Sequence, residues 1–175
     1  DAVYGLLAET VTVSEDRNSF TFKLRPQARW QDGTPLTAED AAFSYNLFKD
    51  KGHPDLSLPL RDLTEATAVD PVTLKLVFNG NQSAQNILSI VVMPIVSKAF
   101  YTANDFEASS LKPPLGSGPY RFGKIMAGRS IVLERVENYW GRDLPTRKGL
   151  CNFDRIRIDF YQERQAAFEA FKKGD

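Results

Sequence analysis

One cysteine and one histidine stand in a chain of 175 residues. A single Cys leaves no internal disulfide framework and no multi-Cys zinc site. A single His excludes two-His metal sites such as the zincin pair, and leaves His53 as the one imidazole base for any triad. Charge of one sign is also missing: 22 Lys+Arg stand against 22 Asp+Glu, a formal net charge of zero. That argues against a surface built mainly for nucleic acid or acidic membrane. No apolar run approaches the roughly 20 residues that span a bilayer. The longest, Ile87 to Val96, is broken by Ser89 and Pro94. Internal repeats and low-complexity segments are lacking. The opening Asp1-Ala2-Val3-Tyr4-Gly5-Leu6-Leu7 has no initiator Met, basic n-region or small-residue cleavage site. Gly174 reads as a helix C′ residue with more chain to come. The expectation is an internal piece of a longer soluble protein.

What is present is ordinary globular composition, 42% hydrophobic and 11% aromatic, in a length that can bury a core without staples. Period-two alternation marks strands. Phe20, Phe22 and Leu24 share one face, as do Val72, Leu74, Leu76 and Phe78, and again Ile156, Ile158 and Phe160. Leu7–Val13, Tyr120–Met126 and Ser130–Val136 are further strands, the last two joined through the hairpin loop Ala127-Gly128-Arg129. Thr37-Ala38-Glu39-Asp40 opens a helix in the manner of a capping box, with Asp in place of the usual Glu or Gln. Phe43, Leu47 and Phe48 give it an apolar face, and Gly52 a stop. Ser83–Ile90 and the segment around Ala167, Phe168 and Phe171 predict two more helices. Strands and helices alternate without a βαβ rhythm, so the fold class is α+β, mixed sheets with flanking helices. A polar, turn-rich stretch at Asn79–Ser83 divides the chain into 1–83 and 84–175.

Chemistry-bearing residues are few. His53 sits in a loop, away from any nucleophile motif, and reads as a bystander. Cys151 beside a strand reads as a structural thiol. Gly116-Ser117-Gly118-Pro119 resembles part of a phosphate loop, but the third Gly is replaced by Arg121 and strand follows it, so it reads as a tight loop. Seven basic and three acidic residues between Arg121 and Lys148 read as a solvated face. Carboxylates are scattered: Glu39 and Asp40 belong to a cap, Asp32-Gly33 to a turn. The aromatics Tyr4, Trp30, Tyr45, Tyr120, Tyr139 and Trp140 could line a cleft or pack a core.

Read in order, several motifs together resemble a known family. Leu24-Arg25-Pro26 followed by Arg29-Trp30-Gln31-Asp32-Gly33-Thr34-Pro35-Leu36-Thr37-Ala38-Glu39-Asp40 is similar to the "LR…(F/W)xDGxPxTAxD" signature of extracellular solute-binding proteins of family 5. These are the oligopeptide-, dipeptide- and nickel-binding receptors of ABC importers. Asp70-Pro71-Val72-Thr73-Leu74 resembles the family's strand entry, Gly116-Ser117-Gly118-Pro119-Tyr120 its "GTGPY" loop, and Leu133-Glu134-Arg135 with Asn138-Tyr139-Trp140-Gly141 its "LERNxxYWG". The wording of Tyr4–Glu9, Leu111–Gly116 and Asn152-Phe153-Asp154 looks closest to the peptide and microcin C uptake subclass.

The resemblance implies a periplasmic-binding-protein-like lobe of the class II, peptide-binding type, with 1–83 as its additional subdomain and 84–175 as part of the first lobe. It implies a periplasmic or lipid-anchored receptor that captures a peptide or peptide-like ligand and delivers it to an ABC permease. It implies no catalysis, no cofactor and no metal site of its own. Contact with the membrane would run only through the permease or an anchor outside this chain. From position in the family plan, Tyr4, Ile90 and Met93 are the expected ligand-contacting residues. A nickel-binding member of the same family and a hydrolase using His53 or a carboxylate pair are the alternatives.

Overall fold

The computed structural model describes residues 4–174. The alternating stretches become strands. β2 (Ser19–Leu24) pairs antiparallel with β4 (Thr73–Phe78), setting Phe20 opposite Leu76 and Phe22 opposite Leu74. β1 (Ala8–Val13) and β3 (Leu63–Asp70) complete a four-stranded sheet in the order β1-β2-β4-β3. Leu74, Leu76 and Phe78 all point to the buried face, as period-two pleating requires. The sequence pattern does not announce β3. Leu63 and Ala66 are both buried although they lie three apart, because the register slips between Leu63 and Glu65. A bulge there inverts the phase, and small Ala residues hide the alternation.

α1 (Ala38–Lys51) starts at the full capping box: the Asp40 N–H donates to Thr37 Oγ1 at 3.4 Å, and the Thr37 N–H donates to Asp40 Oδ2 at 3.0 Å. Its buried face is set by Ala38, Ala41, Ala42, Tyr45 and Phe48 rather than by Phe43 and Leu47, which are half-buried. Alanines at these positions let the helix lie close on β3 and β4. The helix stops at Gly52 in extended backbone (φ −69°), not in a left-handed C′ turn. Glycine is needed for another reason: a Cβ there would fall 2.3 Å from the Phe48 carbonyl oxygen. Beyond it lie α2 (Pro54–Ser57), a 3-10 turn (Leu58–Asp62), α3 (Ala84–Val91) and α4 (Lys98–Ala103). Ile90 of α3 joins Leu24, Tyr45, Phe48, Leu60 and Leu76 in one buried cluster.

The second sheet has the order β5-β6-β7, from β5 (Tyr120–Met126), β6 (Ser130–Arg135) and β7 (Arg155–Asp159). α5 (Arg164–Lys173) follows and ends at Gly174 in the left-handed region, φ 82°. The class is α+β. All strand pairs named are antiparallel, so the mixture lies in helices with sheets and not in strand direction. One face of the second sheet carries Phe122, Leu133 and Ile156 in one row and Ile131 and Ile158 in the next. Phe122, Ile158 and the adjoining Phe160 are exposed, so this apolar face is uncovered among the described residues. Among the described residues no helix is long and apolar enough to cross a membrane.

The Asp40 carboxylate does more than cap α1. It is buried, and it accepts from Trp30 Nε1 at 3.4 Å, from the Thr37 N–H and hydroxyl, and from the Lys98 N–H at 2.9 Å. Removing it strands several buried donors at once, each costing roughly 1–3 kcal/mol if left unpaired. Asp40→Ala is therefore expected to destabilise the chain by about 3 kcal/mol in urea unfolding. Its neighbour Glu39, paired with Lys98 Nζ at the surface, should cost less than about 1 kcal/mol when changed to Ala.

Candidate functional site

The segment Arg29–Asp40 is a structural clamp built around a turn. The Trp30 N–H donates to the Thr34 carbonyl at 2.9 Å, and Gly33 takes φ 87°, which favours glycine. Asp32 Oδ1 accepts from the Thr34 hydroxyl at 2.6 Å and from its N–H at 2.9 Å. Those two bonds, the hydroxyl first, hold the Asp32 carboxyl below the usual carboxylate range. The turn presents Gln31 to the glycine-rich loop. The Gln31 N–H donates to the Gly116 carbonyl at 2.9 Å, and Gln31 Nε2 donates to the carbonyls of Gly118 and Tyr120 at 3.1 and 2.7 Å. Trp140 Nε1 donates to the Ser117 carbonyl at 3.0 Å. A phosphate loop works by offering N–H groups. This loop instead offers its carbonyls, and four of them are occupied by Gln31 and Trp140.

The same contacts hold the second sheet to the first. Leu115 and Trp140 pack on a small buried cluster of Ala28, Trp30 and Leu36. In Tyr139-Trp140-Gly141 the glycine is forced by a close approach, since a Cβ would meet the Tyr139 hydroxyl at 2.7 Å. Gln31 carried no signal in the sequence pattern. Its role depends on a partner 87 residues away, which spacing along the chain cannot reveal.

The expected contact residues scatter in environment. Tyr4 is 74% exposed. Met93 is half-buried against the main core cluster. Ile90 must be corrected: it is 0% exposed, and its carbonyl accepts from the Tyr45 hydroxyl at 3.2 Å, so its side chain has no surface to offer a solute. It is a core residue because α3 turns it inward. Burial of Tyr45 pushes its phenol up to about 12. His53 is exposed and caps α2, its Nδ1 accepting from the Asp55 N–H at 3.4 Å. Among the described residues no three His, Cys, Asp or Glu side chains cluster as metal ligands would.

A cavity of about 480 Å³ opens between the end of β6 and the 136–152 loop. Arg135, Arg142, Arg147 and Lys148 line it with Glu137, Asp143, Tyr139 and Cys151. Arg135 is paired with Asp154. Arg147 Nε is buried with no hydrogen-bond partner, and its Nη2 lies 3.8 Å from Cys151 Sγ. Burial pushes the Tyr139 phenol up, and the neighbouring Arg147 charge pulls it the other way.

Comparison with known proteins fits this picture. A profile described as bacterial extracellular solute-binding proteins, family 5 Middle, matches residues 2–175. The chain is 36% identical over 175 residues to the peptidoglycan-binding protein YepA of Agrobacterium fabrum, covering 99% of this chain and 28% of that protein. It is 33% identical over 180 residues to the probable peptide-binding protein YejA of the same organism, covering 99% of this chain and 29% of that one. Among solved structures it is similar to a putative peptide binding protein, AppA from Clostridium difficile. The TM-score is 0.79 at 25% identity, over 98% of this chain and 35% of that one. The chain thus spans under a third of the length of these curated relatives.

Two outcomes follow from the placement of Ile90 and Tyr45. Ile90→Ala should cost about 2–4 kcal/mol in urea unfolding, as core truncations do, whereas Tyr4→Ala should change stability by less than about 0.5 kcal/mol. The Tyr45 phenol titrates higher folded than unfolded, so its contribution is full below its unfolded value of 10 and is lost as pH rises towards about 12. Chemical unfolding across that alkaline window should show stability falling, and Tyr45→Phe should flatten the fall.

Proposed function

The chain belongs to the family 5 bacterial extracellular solute-binding proteins, and on that premise we propose that it is part of a receptor for peptides or peptide-like solutes. The receptor captures its solute in the periplasm, outside the inner membrane, and hands it to an ABC permease. One observation carries the solute class. Over 98–99% of its length the chain aligns with several relatives, and those with a stated ligand are named for peptide and for peptidoglycan binding. The subclass that fits the wording of Tyr4–Glu9 and Asn152-Phe153-Asp154 is peptide and microcin C uptake.

In this reading the four-stranded sheet with α1 is the additional subdomain, and the three-stranded sheet is part of the first lobe. Ile90 packs in the same cluster as Tyr45 and Phe48, which supports a boundary beyond α3 instead of at residue 83. Tyr4 and Met93 remain the proposed solute contacts. An extended peptide pairs its backbone with strand edges and its ends with charges. Closure of two walls on it commits the receptor to delivery. The reading has no catalytic step. A metal solute would find no cluster of three His, Cys, Asp or Glu donors among the described residues, so its ligands would come from elsewhere in the receptor or arrive with the metal.

Binding that needs two walls makes a sharp expectation. Titration calorimetry with a peptide pool should give about micromolar or tighter binding for a chain of the relatives' full length, and weak or no binding for these 175 residues. Submicromolar binding by the short chain would overturn the two-wall account. Absence of binding by the long chain would overturn the solute class, and native mass spectrometry of that chain from cells would show what replaces it.

A further inference from the structure

We propose that the cavity under the 136–152 loop is a binding site for a small oxyanion, a phosphate or carboxylate group, held by Arg142, Arg147 and Lys148. The inference rests on charge without counter-charge. No carboxylate lies within 4.0 Å of any of these three side chains among the described residues, although Glu137 and Asp143 share the cavity wall. Arg142 Nη1 reaches only the Glu137 main-chain carbonyl, at 3.4 Å. On the adjoining sheet Arg135, Arg121 and Arg157 each have a carboxylate partner, whereas Lys124 has none among the described residues.

Arg147 states the case most clearly. It is half-buried, its Nε is fully enclosed without an acceptor, and its Nη2 rests against a thiol. The Tyr139 phenol lies beside the same guanidinium, but an enclosed N–H without an acceptor is costly, and an anion reaching it would relieve that cost. A guanidinium presents paired N–H donors in a planar fork that matches a carboxylate or a phosphate edge. Gly149 and Cys151, both in the cavity wall, take left-handed backbone at φ 80° and 59°. The volume, about 480 Å³, suits one anionic group of a small solute and not a folded partner. The site is read from this chain's own residues and does not depend on the peptide reading.

The test is a titration of the 175-residue chain, followed by amide chemical shifts, with inorganic phosphate and separately with acetate. Sodium chloride at matched ionic strength is the control. Saturable shifts at Arg142, Arg147, Lys148 and Gly149 are expected, with a Kd of about 1 mM or tighter for one of the two anions. The tighter anion names the group recognised. Arg142→Gln with Lys148→Gln, both exposed and so tolerated by the fold, should weaken binding at least about tenfold. Arg121→Gln, on β5 outside the cavity, should leave it unchanged. Arg147→Gln should abolish it while a melting curve confirms that the variant is folded. Chloride reproducing the shifts, shifts that do not saturate, or an unaltered Kd in the double variant would each overturn the site.

Discussion

A single buried carboxylate ties this structure together. Asp40 receives the indole N–H of Trp30, two donors of Thr37 and the main-chain N–H of Lys98. Those donors come from the turn before α1, from the cap of α1, and from the start of α4, which lies 58 residues further along the chain. An ionised carboxylate out of water is tolerable only when its lone pairs are filled, and here the positive end of α1 adds to the effect. Hydrogen bonds to a charged acceptor are worth more than neutral ones, so this one group fixes the relative positions of three segments. Ser44, one turn further along the helix, continues the tie. It is fully buried and accepts from the Val96 N–H at 2.8 Å.

A second tie depends on the first. Trp30 is held by Asp40, and Gln31 follows it directly in the chain. Gln31 can grip the 116–120 loop only because the Asp32-Gly33 turn is fixed on its other side. Through that loop the three-stranded sheet is attached to the body of the molecule, with Trp140 packing on Trp30's cluster from above. The contacts that join the two sheets are thus polar bonds to carbonyls plus one aromatic plug. The sheet's own apolar face, with Phe122, Ile158 and Phe160 open, takes no part in them.

The parts of the fold that could be read from the sequence are those whose signal is local. Strict alternation gave β2, β4 and β7 nearly to the residue, and the Thr37 box gave the start of α1. Gly174 was legible as a left-handed stop because its effect is confined to one turn. β3 was not legible, since a bulge between Leu63 and Glu65 shifts its phase and alanines blur the pattern. The inner face of α1 was misread for a related reason: its alanines lie deeper than Phe43 and Leu47, and depth there is decided by how near the sheet comes. The four motifs identified the family, yet Ile90, one of the three residues expected from position in the family plan to touch a ligand, belongs to the core. Position in a family plan locates a helix without saying which way each side chain faces.

That mismatch has a physical cause. The recurring residues of the motifs, Trp30, Asp40, Gly33, Gly116, Trp140 and Gly141, are each explained by a hydrogen bond, a turn or a close approach inside this chain. Such requirements are the same whatever solute is carried, because they concern how two sheets and a capped helix are fastened. Recognition of a solute needs exposed groups, and exposed groups are free of those requirements. A fastening that depends on one carboxylate and one glutamine therefore makes few demands on exposed side chains such as Tyr4. The features by which the chain is most readily identified are those that say least about what it binds.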